Sequence, residues 1–242
     1  MDKERLDQAL VRRGLVATRS QAESWIRLGK VFVRGRAVTK PGHFVANDTP
    51  VELKATEQYV SRAGLKLASV AKVLQLDFAD AVVLDVGSST GGFTDYALQH
   101  GARKVIAVDV GTNQLHPSLR PNPKVELYEQ TDIRNVQVLS ATPDVVVIDV
   151  SFISLREILP HVARLSGAHS KIVAMLKPQF ESGAGAKHKG VIKNDAMRRA
   201  ILKDFEGWVK KYFVIVDKAD SEVAGSKGNR ERFYLLQKSL KG

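Results

Sequence analysis

Four runs of almost uninterrupted aliphatic residues, at 81–86, 104–109, 144–150 and 171–177, constrain this chain more than any other feature. A strand reads as a continuous apolar run only where both of its faces are buried, the condition of a parallel sheet covered by helices. A weaker run at 125–128 adds a fifth strand, and helical stretches lie around 92–100, 152–165 and 194–210. Two late strands, 212–217 and 232–237, flank a loop holding Gly225-Ser226-Lys227-Gly228-Asn229. Alternation of this kind implies a doubly wound α/β sheet that binds ligands at the carboxyl ends of its strands.

The segment before this pattern has a different rhythm. Residues 4–13 carry helical spacing that Gly14 ends, and Thr18 can cap a second helix over 19–28 that Gly29 closes. Val31 to Val38 alternates about a glycine turn, and Val51-Glu52-Leu53 makes a last short strand. Two short helices and a small sheet form a module rather than a whole protein. The expected domains are therefore 1–58 and 59–242.

Charge suggests what that module touches. The 242 residues hold 37 Lys and Arg against 26 Asp and Glu, a net charge of +11. Residues 1–45 contribute ten basic residues against four acids, and Lys177 to Lys203 contribute seven against two. Two separate basic clusters favour a phosphate backbone as partner over a merely solvated surface. The chain has no cysteine, which excludes disulfides, thiolate-bound metals and thiol catalysis. It has no apolar run of about 18 residues for a membrane span. Its charged start, Met1-Asp2-Lys3-Glu4-Arg5, is unlike a signal peptide, so a cytoplasmic protein is expected.

The first strand ends in Asp85-Val86-Gly87-Ser88-Ser89-Thr90-Gly91-Gly92-Phe93-Thr94. Glycines there let backbone approach a ligand, and the following helix offers free N–H donors. Three chemistries compete for such a loop. A dinucleotide site would use Gly87, Ser89 and Gly92 in place of a three-glycine fingerprint, but Asp85 would repel a pyrophosphate. A hydrolase elbow is matched literally by Gly87-Ser88-Ser89-Thr90-Gly91, yet the last histidine, His188, precedes two further strands and no oxyanion loop is evident. S-adenosylmethionine carries a sulfonium, an amino group and a ribose but no phosphate, which suits a strand-end carboxylate. Asp109 then stands where a ribose diol would lie, and Asp132 where a carboxylate could accept from an adenine amino group.

Four further polar residues sit where apolar ones are expected. Asp149 and Lys177 end adjacent buried strands, Lys66 lies on a helix before the first strand, and Glu231 opens the last one. Asp149 or Lys177 alone reads as a salt bridge at the sheet edge, and neither Lys66 nor Glu231 stands out alone. Together they meet the need of methylating a hydroxyl, which requires a base: burial and a second ammonium favour the uncharged amine, and carboxylates orient it.

At these residues the chain resembles the TlyA (haemolysin A) family of ribosomal RNA 2′-O-methyltransferases, whose catalytic domain is FtsJ-like. Arg5-Leu6-Asp7, Leu10-Val11, Ser20, Ala22, Ile26 and Gly29 to Gly35 are similar to an S4 RNA-binding domain. Tyr59 to Leu67, Asp85 to Asp95, Asp149 to Ser154, Leu176 to Glu181, and Gly228-Asn229 with Glu231 are similar to the methyltransferase motifs. The resemblance implies an α/β fold: a Rossmann-like class I methyltransferase sheet with a small N-terminal S4-like α/β RNA-binding domain. It also implies S-adenosylmethionine as cofactor, held by Asp85, Gly87, Ser88, Ser89, Gly91, Gly92, Phe93, Asp109 and Asp132. The family's tetrad falls on Lys66, Asp149, Lys177 and Glu231, with Lys177 as base, Asp149 and Lys66 tuning it and Glu231 orienting the set. RNA, in ribosomal RNA or a ribosomal subunit, would be gripped by Arg5, Arg12, Arg19, Arg27, Arg34, Arg62, Lys187 and Lys189. The last two lie in a glycine-rich stretch that reads as a lid. Neither a metal nor an obligate protein partner is implied. The rival readings are a membrane-active haemolysin and a non-catalytic RNA-binding module.

Overall fold

The computed structural model describes residues 3–16, 19–27, 29–54, 59–181, 191–192, 194–223, 225 and 228–239. The chain divides into two compact units, Met1–Ser61 and Arg62–Gly242.

The first unit runs β1 (Lys3–Arg5), α1 (Leu6–Arg12), α2 (Arg19–Arg27), β2 (Val31–Val33), β3 (Arg36–Val38), β4 (Phe44–Ala46) and β5 (Val51–Leu53). The expected hairpin joins β2 to β3 through Arg34 and Gly35, both left-handed at φ 49° and 75°, the backbone a tight right-twisted hairpin requires. β5 pairs with the other side of β2, giving the order β3-β2-β5. The sequence places residues 4 and 5 in the first helix, but they belong to β1. That strand pairs antiparallel with β4, which the sequence also leaves unassigned, and the Leu6 N–H continues the ladder to the His43 carbonyl. Leu6, Ala9, Leu10, Ala22, Trp25, Ile26, Val31 and Val45 are buried in this unit.

The second unit opens with α3 (Arg62–Ala71) and then β6 (Val82–Val86), α4 (Gly92–Gln99), β7 (Lys104–Val108) and β8 (Val125–Tyr128). It continues through β9 (Val145–Ile148), α5 (Leu155–Leu165), β10 (Lys171–Leu176), α6 (Pro178–Glu181), α7 (Asp195–Val209), β11 (Phe213–Asp220) and β12 (Arg232–Lys238). Seven strands form one sheet in the order β11-β12-β10-β9-β6-β7-β8. β8, β7, β6, β9 and β10 are mutually parallel, and β12 and β11 turn antiparallel. The doubly wound α/β fold expected from the sequence is thus present. The chain lays β7 and β8 on one side of β6 and β9 and β10 on the other, so the strand order reverses at β6/β9. That reversal opens a crevice at the strands' carboxyl ends.

Strand alternation assigns the sheet's two faces. Val82, Leu84 and Val86 share a core with Leu155 and Ile158 of α5 and Leu202 and Phe205 of α7. Asp85 lies on the opposite face, where Thr94 of α4 reaches it and where α3 packs beside α4. α5 begins three residues later than its apolar spacing suggests. Phe152 has a left-handed backbone (φ 67°), and Ser154 caps the helix by accepting from the Arg156 N–H. No helix among the described residues is long and apolar enough to cross a membrane.

Candidate active site

Lys177 and Asp149 follow β10 and β9 directly, at the end where the crevice opens. The Lys177 Nζ lies 2.5 Å from Asp149 Oδ1 and donates to Ser151 Oγ at 2.8 Å. Glu231 stands one residue before β12. Because Leu176 pairs with Arg232, the next antiparallel step sets Lys177 opposite Glu231. Lys66 reaches in from α3, its Nζ 2.6 Å from Glu231 Oε2. The four residues thus form two ion pairs, Lys66–Glu231 and Lys177–Asp149, whose side chains are each less than one-fifth exposed.

The chain around each pair is held from outside. Glu181 of α6 is buried, and its carboxylate accepts from Ser154 Oγ (2.6 Å) and the Leu155 N–H (2.7 Å). It therefore ties the segment leaving Lys177 to the one leaving Asp149. Burial pushes the Glu181 carboxyl up, against those two hydrogen bonds. On the other side, Arg198 of α7 donates to the Arg230 carbonyl, and the Glu231 carbonyl accepts from the Ser221 N–H. The buried Asn229 accepts from the Ile192 N–H through its side chain and from the Gly225 N–H through its backbone. Gly225 sits against the Glu231 carboxylate so closely that a Cβ would stand 2.8 Å from Oε1.

A cleft of about 390 Å³ lies beside Asp149. Gly87 and Ser89 form one wall, Asp109 and Asp132 another, and Val150 to Ile153 a third. Gly87 is irreplaceable on two counts: its φ is +79°, and a Cβ would fall 2.7 Å from the Asp149 carbonyl oxygen. Asp109 spans the glycine loop and the turn after β7, accepting from the Ser89 N–H at 2.8 Å and the Gly111 N–H at 2.7 Å. Asp132 caps the short 3-10 turn Ile133–Asn135 and is paired with Arg134, which also reaches Glu157. Its carboxyl is held below the usual range, chiefly by that guanidinium.

The other residues expected at the cofactor do not line this cleft. Asp85 is fully buried on the α4 face and accepts from Thr94 Oγ1 at 2.6 Å. Burial pushes its carboxyl up to about 7, with Asp149 and Asp109 adding to the rise and Thr94 opposing it. Asp85 Oδ1 and Ser88 Oγ are buried without a hydrogen-bond partner among the described residues. Gly91 packs under Leu115 and Leu119, and Phe93 lies against Phe233 in the core. Gly92 opens α4. Conversely, Val110, Thr131, Arg134, Ser151, Phe152 and Ile158 line the cleft without having been singled out. Phe152 had the strongest signal among them, an aromatic directly after Asp149-Val150-Ser151, and it is 91% exposed with its ring 5.1 Å from that of Phe180.

The cations expected to grip RNA in the first unit are mostly engaged. Arg5 and Arg19 both bind the buried Asp7, and Arg12 binds Glu4. Burial would raise the Asp7 carboxyl, but the two guanidiniums outweigh it and hold it down to about 2. Arg34 is exposed in the hairpin turn and makes no ion pair among the described residues. Arg62 opens α3 and is half-buried. The Arg27 side chain, Lys187 and Lys189, and with them the expected lid, lie outside the described residues.

Comparison with known proteins shows the family. The FtsJ-like methyltransferase model matches residues 59–238, and the S4 domain model matches residues 4–48. A 16S/23S rRNA (cytidine-2′-O)-methyltransferase, TlyA of Mycobacterium tuberculosis, is 38% identical, covering 96% of this chain and 89% of its own length. Hemolysin A of Brachyspira hyodysenteriae is also 38% identical, over 94% of this chain and 97% of itself. The solved structure of a protein named as a hemolysin, from Streptococcus thermophilus, superposes with a TM-score of 0.77 at 37% identity, covering 99% of this chain and 90% of that one. With an S4 domain followed in sequence by an FtsJ-like methyltransferase domain, and relatives of this identity along nearly its whole length, the chain belongs to the TlyA (haemolysin A) family.

Proposed function

We propose that this chain transfers a methyl group from S-adenosylmethionine to a ribose 2′-hydroxyl, that of a cytidine in ribosomal RNA, in the cytoplasm. The observation that carries the reading is the pair of ion pairs, Lys177–Asp149 and Lys66–Glu231, beside a cleft bounded by the glycine loop. The cytidine and the ribosomal substrate are those printed in the names of the methyltransferase relatives.

The site's polar groups fit the cofactor. The Asp109 carboxylate, fixed by two backbone N–H groups, keeps lone pairs for a ribose diol. Asp132 lines the cleft, but both of its oxygens are engaged by Arg134, so it would meet an adenine amino group only by giving up part of that pair. When bound, S-adenosylmethionine supplies a methyl group on a sulfonium, so the chain must orient the ribose hydroxyl and take its proton.

Lys177 is the group that takes the hydroxyl proton. In its uncharged form it accepts that proton as the oxygen attacks, and Asp149 stabilises the ammonium that forms. Ser151 fixes the direction of the Nζ. Lys66, held in place by Glu231, keeps its ammonium N–H donors fixed for the developing alkoxide. The exposed Phe152 offers an aromatic face at the mouth of the cleft. Methyl transfer to ribosomal RNA, followed with radiolabelled cofactor, should fall about 10²- to 10⁴-fold in Lys177→Met and Asp149→Asn while both variants still fold. Activity near that of the parent protein in either variant would overturn the assignment.

A further inference from the structure

The two-stranded ribbon of the first unit carries an arrangement that the methyl-transfer site does not use. β1 and β4 pair in the register Lys3↔Ala46, Glu4↔Val45, Arg5↔Phe44, and directly opposed residues share a face. Val45 is buried and Glu4 is taken by Arg12, so that face closes on the unit's interior. The other face presents Lys3, Arg5 and Phe44, and no acid. Phe44 is 60% exposed.

Arg5 on this face is fixed. Its Nε and Nη2 donate to the two oxygens of Asp7 at 3.0 and 2.9 Å, and its guanidinium passes over Gly42, within 3.6 Å of where a Cβ would stand. Asp7 also takes Arg19 at 2.8 Å. Arg19 also lies 3.8 Å from Glu23, so these two guanidiniums and two carboxylates balance. The geometry of Arg5 is set before any ligand arrives, and the face takes its net positive charge from Lys3, which makes no ion pair among the described residues. A fixed cation beside an exposed ring is how proteins hold single-stranded nucleic acid, with backbone on charge and base on aromatic face. A duplex cannot use the ring, because its bases are already stacked on one another.

We propose that this face binds unpaired RNA, with Phe44 stacking one base and Lys3 and Arg5 taking the adjacent phosphates. The inference rests on the reading of RNA as substrate and adds a mode of contact to it. The test uses the full chain, a short unstructured RNA oligonucleotide and a blunt RNA duplex of equal length, with fluorescence anisotropy across a series of salt concentrations. Phe44→Ala should weaken single-strand binding about 5- to 150-fold, leave the duplex unaffected and leave the salt slope unchanged, since stacking releases no counterions. Phe44→Trp should restore binding, which separates stacking from a folding defect. Lys3→Ala should instead reduce the slope by about 0.7. Failure of the parent chain to bind the single strand, parent-like binding by Phe44→Ala, equal losses on duplex and single strand, or no rescue by tryptophan would each overturn the proposal. Methyl transfer by the parent chain, measured in parallel, keeps the two ideas apart. If the parent methylates ribosomal RNA while Phe44→Ala binds normally, this inference fails and the enzymatic reading stands.

Discussion

Replacing Gly225 with alanine perturbs the Lys66–Glu231 pair without touching either residue. Gly225 is outside the left-handed region, so the new methyl costs the backbone nothing. The methyl would sit 2.8 Å from Glu231 Oε1 and 3.4 Å from its Cδ, closer than an oxygen and a carbon tolerate. The backbone of residues 229–231 is tied down by Ile192, Arg198 and Ser221, and the Gly225 N–H by the Asn229 carbonyl, which leaves the carboxylate as the part able to yield. It must retreat by several tenths of an ångström, out of its 2.6 Å contact with Lys66. Misplacing a catalytic group by about 1 Å can cost about 100-fold, so kcat should fall by about 10- to 100-fold. The KM for the cofactor should hold within about a factor of three, because binding in the cleft is untouched. Steady-state kinetics with radiolabelled cofactor, beside a thermal melt, reads both. In a Glu231→Gln background the alanine should cost little more, since the two changes act on one contact. An unchanged kcat in a folded Gly225→Ala protein, or full additivity with Glu231→Gln, would refute the reasoning that Glu231 must be held where it is.

Glu181→Ala should destabilise the protein by about 3 kcal/mol, because it strands the Ser154 hydroxyl and the Leu155 N–H inside the fold; denaturant titration measures this. Asp85 makes stability depend on pH in the cofactor-free protein. Its carboxyl rises on folding from 3.8 to about 7, so the folded state holds its proton more tightly than the unfolded chain. The associated stabilisation is complete below pH 3.8 and is lost as pH climbs to about 7, an effect on the order of 4 kcal/mol. Asp85→Asn should remove that decline, seen as a smaller fall, or a net rise, in denaturation midpoint from the acid to the neutral end of the window than the parent shows.

What the sequence alone determined is the sheet and the ends of its strands. A strand buried on both faces is built mostly of aliphatic side chains, so Asp149 and Lys177 announce where β9 and β10 emerge into the crevice. Asp109, just past β7, does so in the same way. The glycines at 87 and 91, both left-handed, mark the tight turn between β6 and α4, again a local property. The S4-like and FtsJ-like motifs were legible for the same reason, since each depends on neighbours within a few residues.

Other features needed the tertiary structure, because their partners are far apart in the chain or on an undetermined face. Residues 4 and 5 have the spacing of a helix and become a strand only because β4 offers them a ladder. Asp85 lies inside β6 in register with Val147, whereas Asp149 stands two residues further on, past the end of β9; that register, and the α4 Thr94 that closes over Asp85, keep the one out of the cleft and the other beside it. The sequence could name Lys66 and Glu231 but could not pair them, nor show that Arg5 and Arg19 are bound to one buried carboxylate. Which charges stay free for a substrate is a question of distance between remote residues, and distance exists only once the chain has folded.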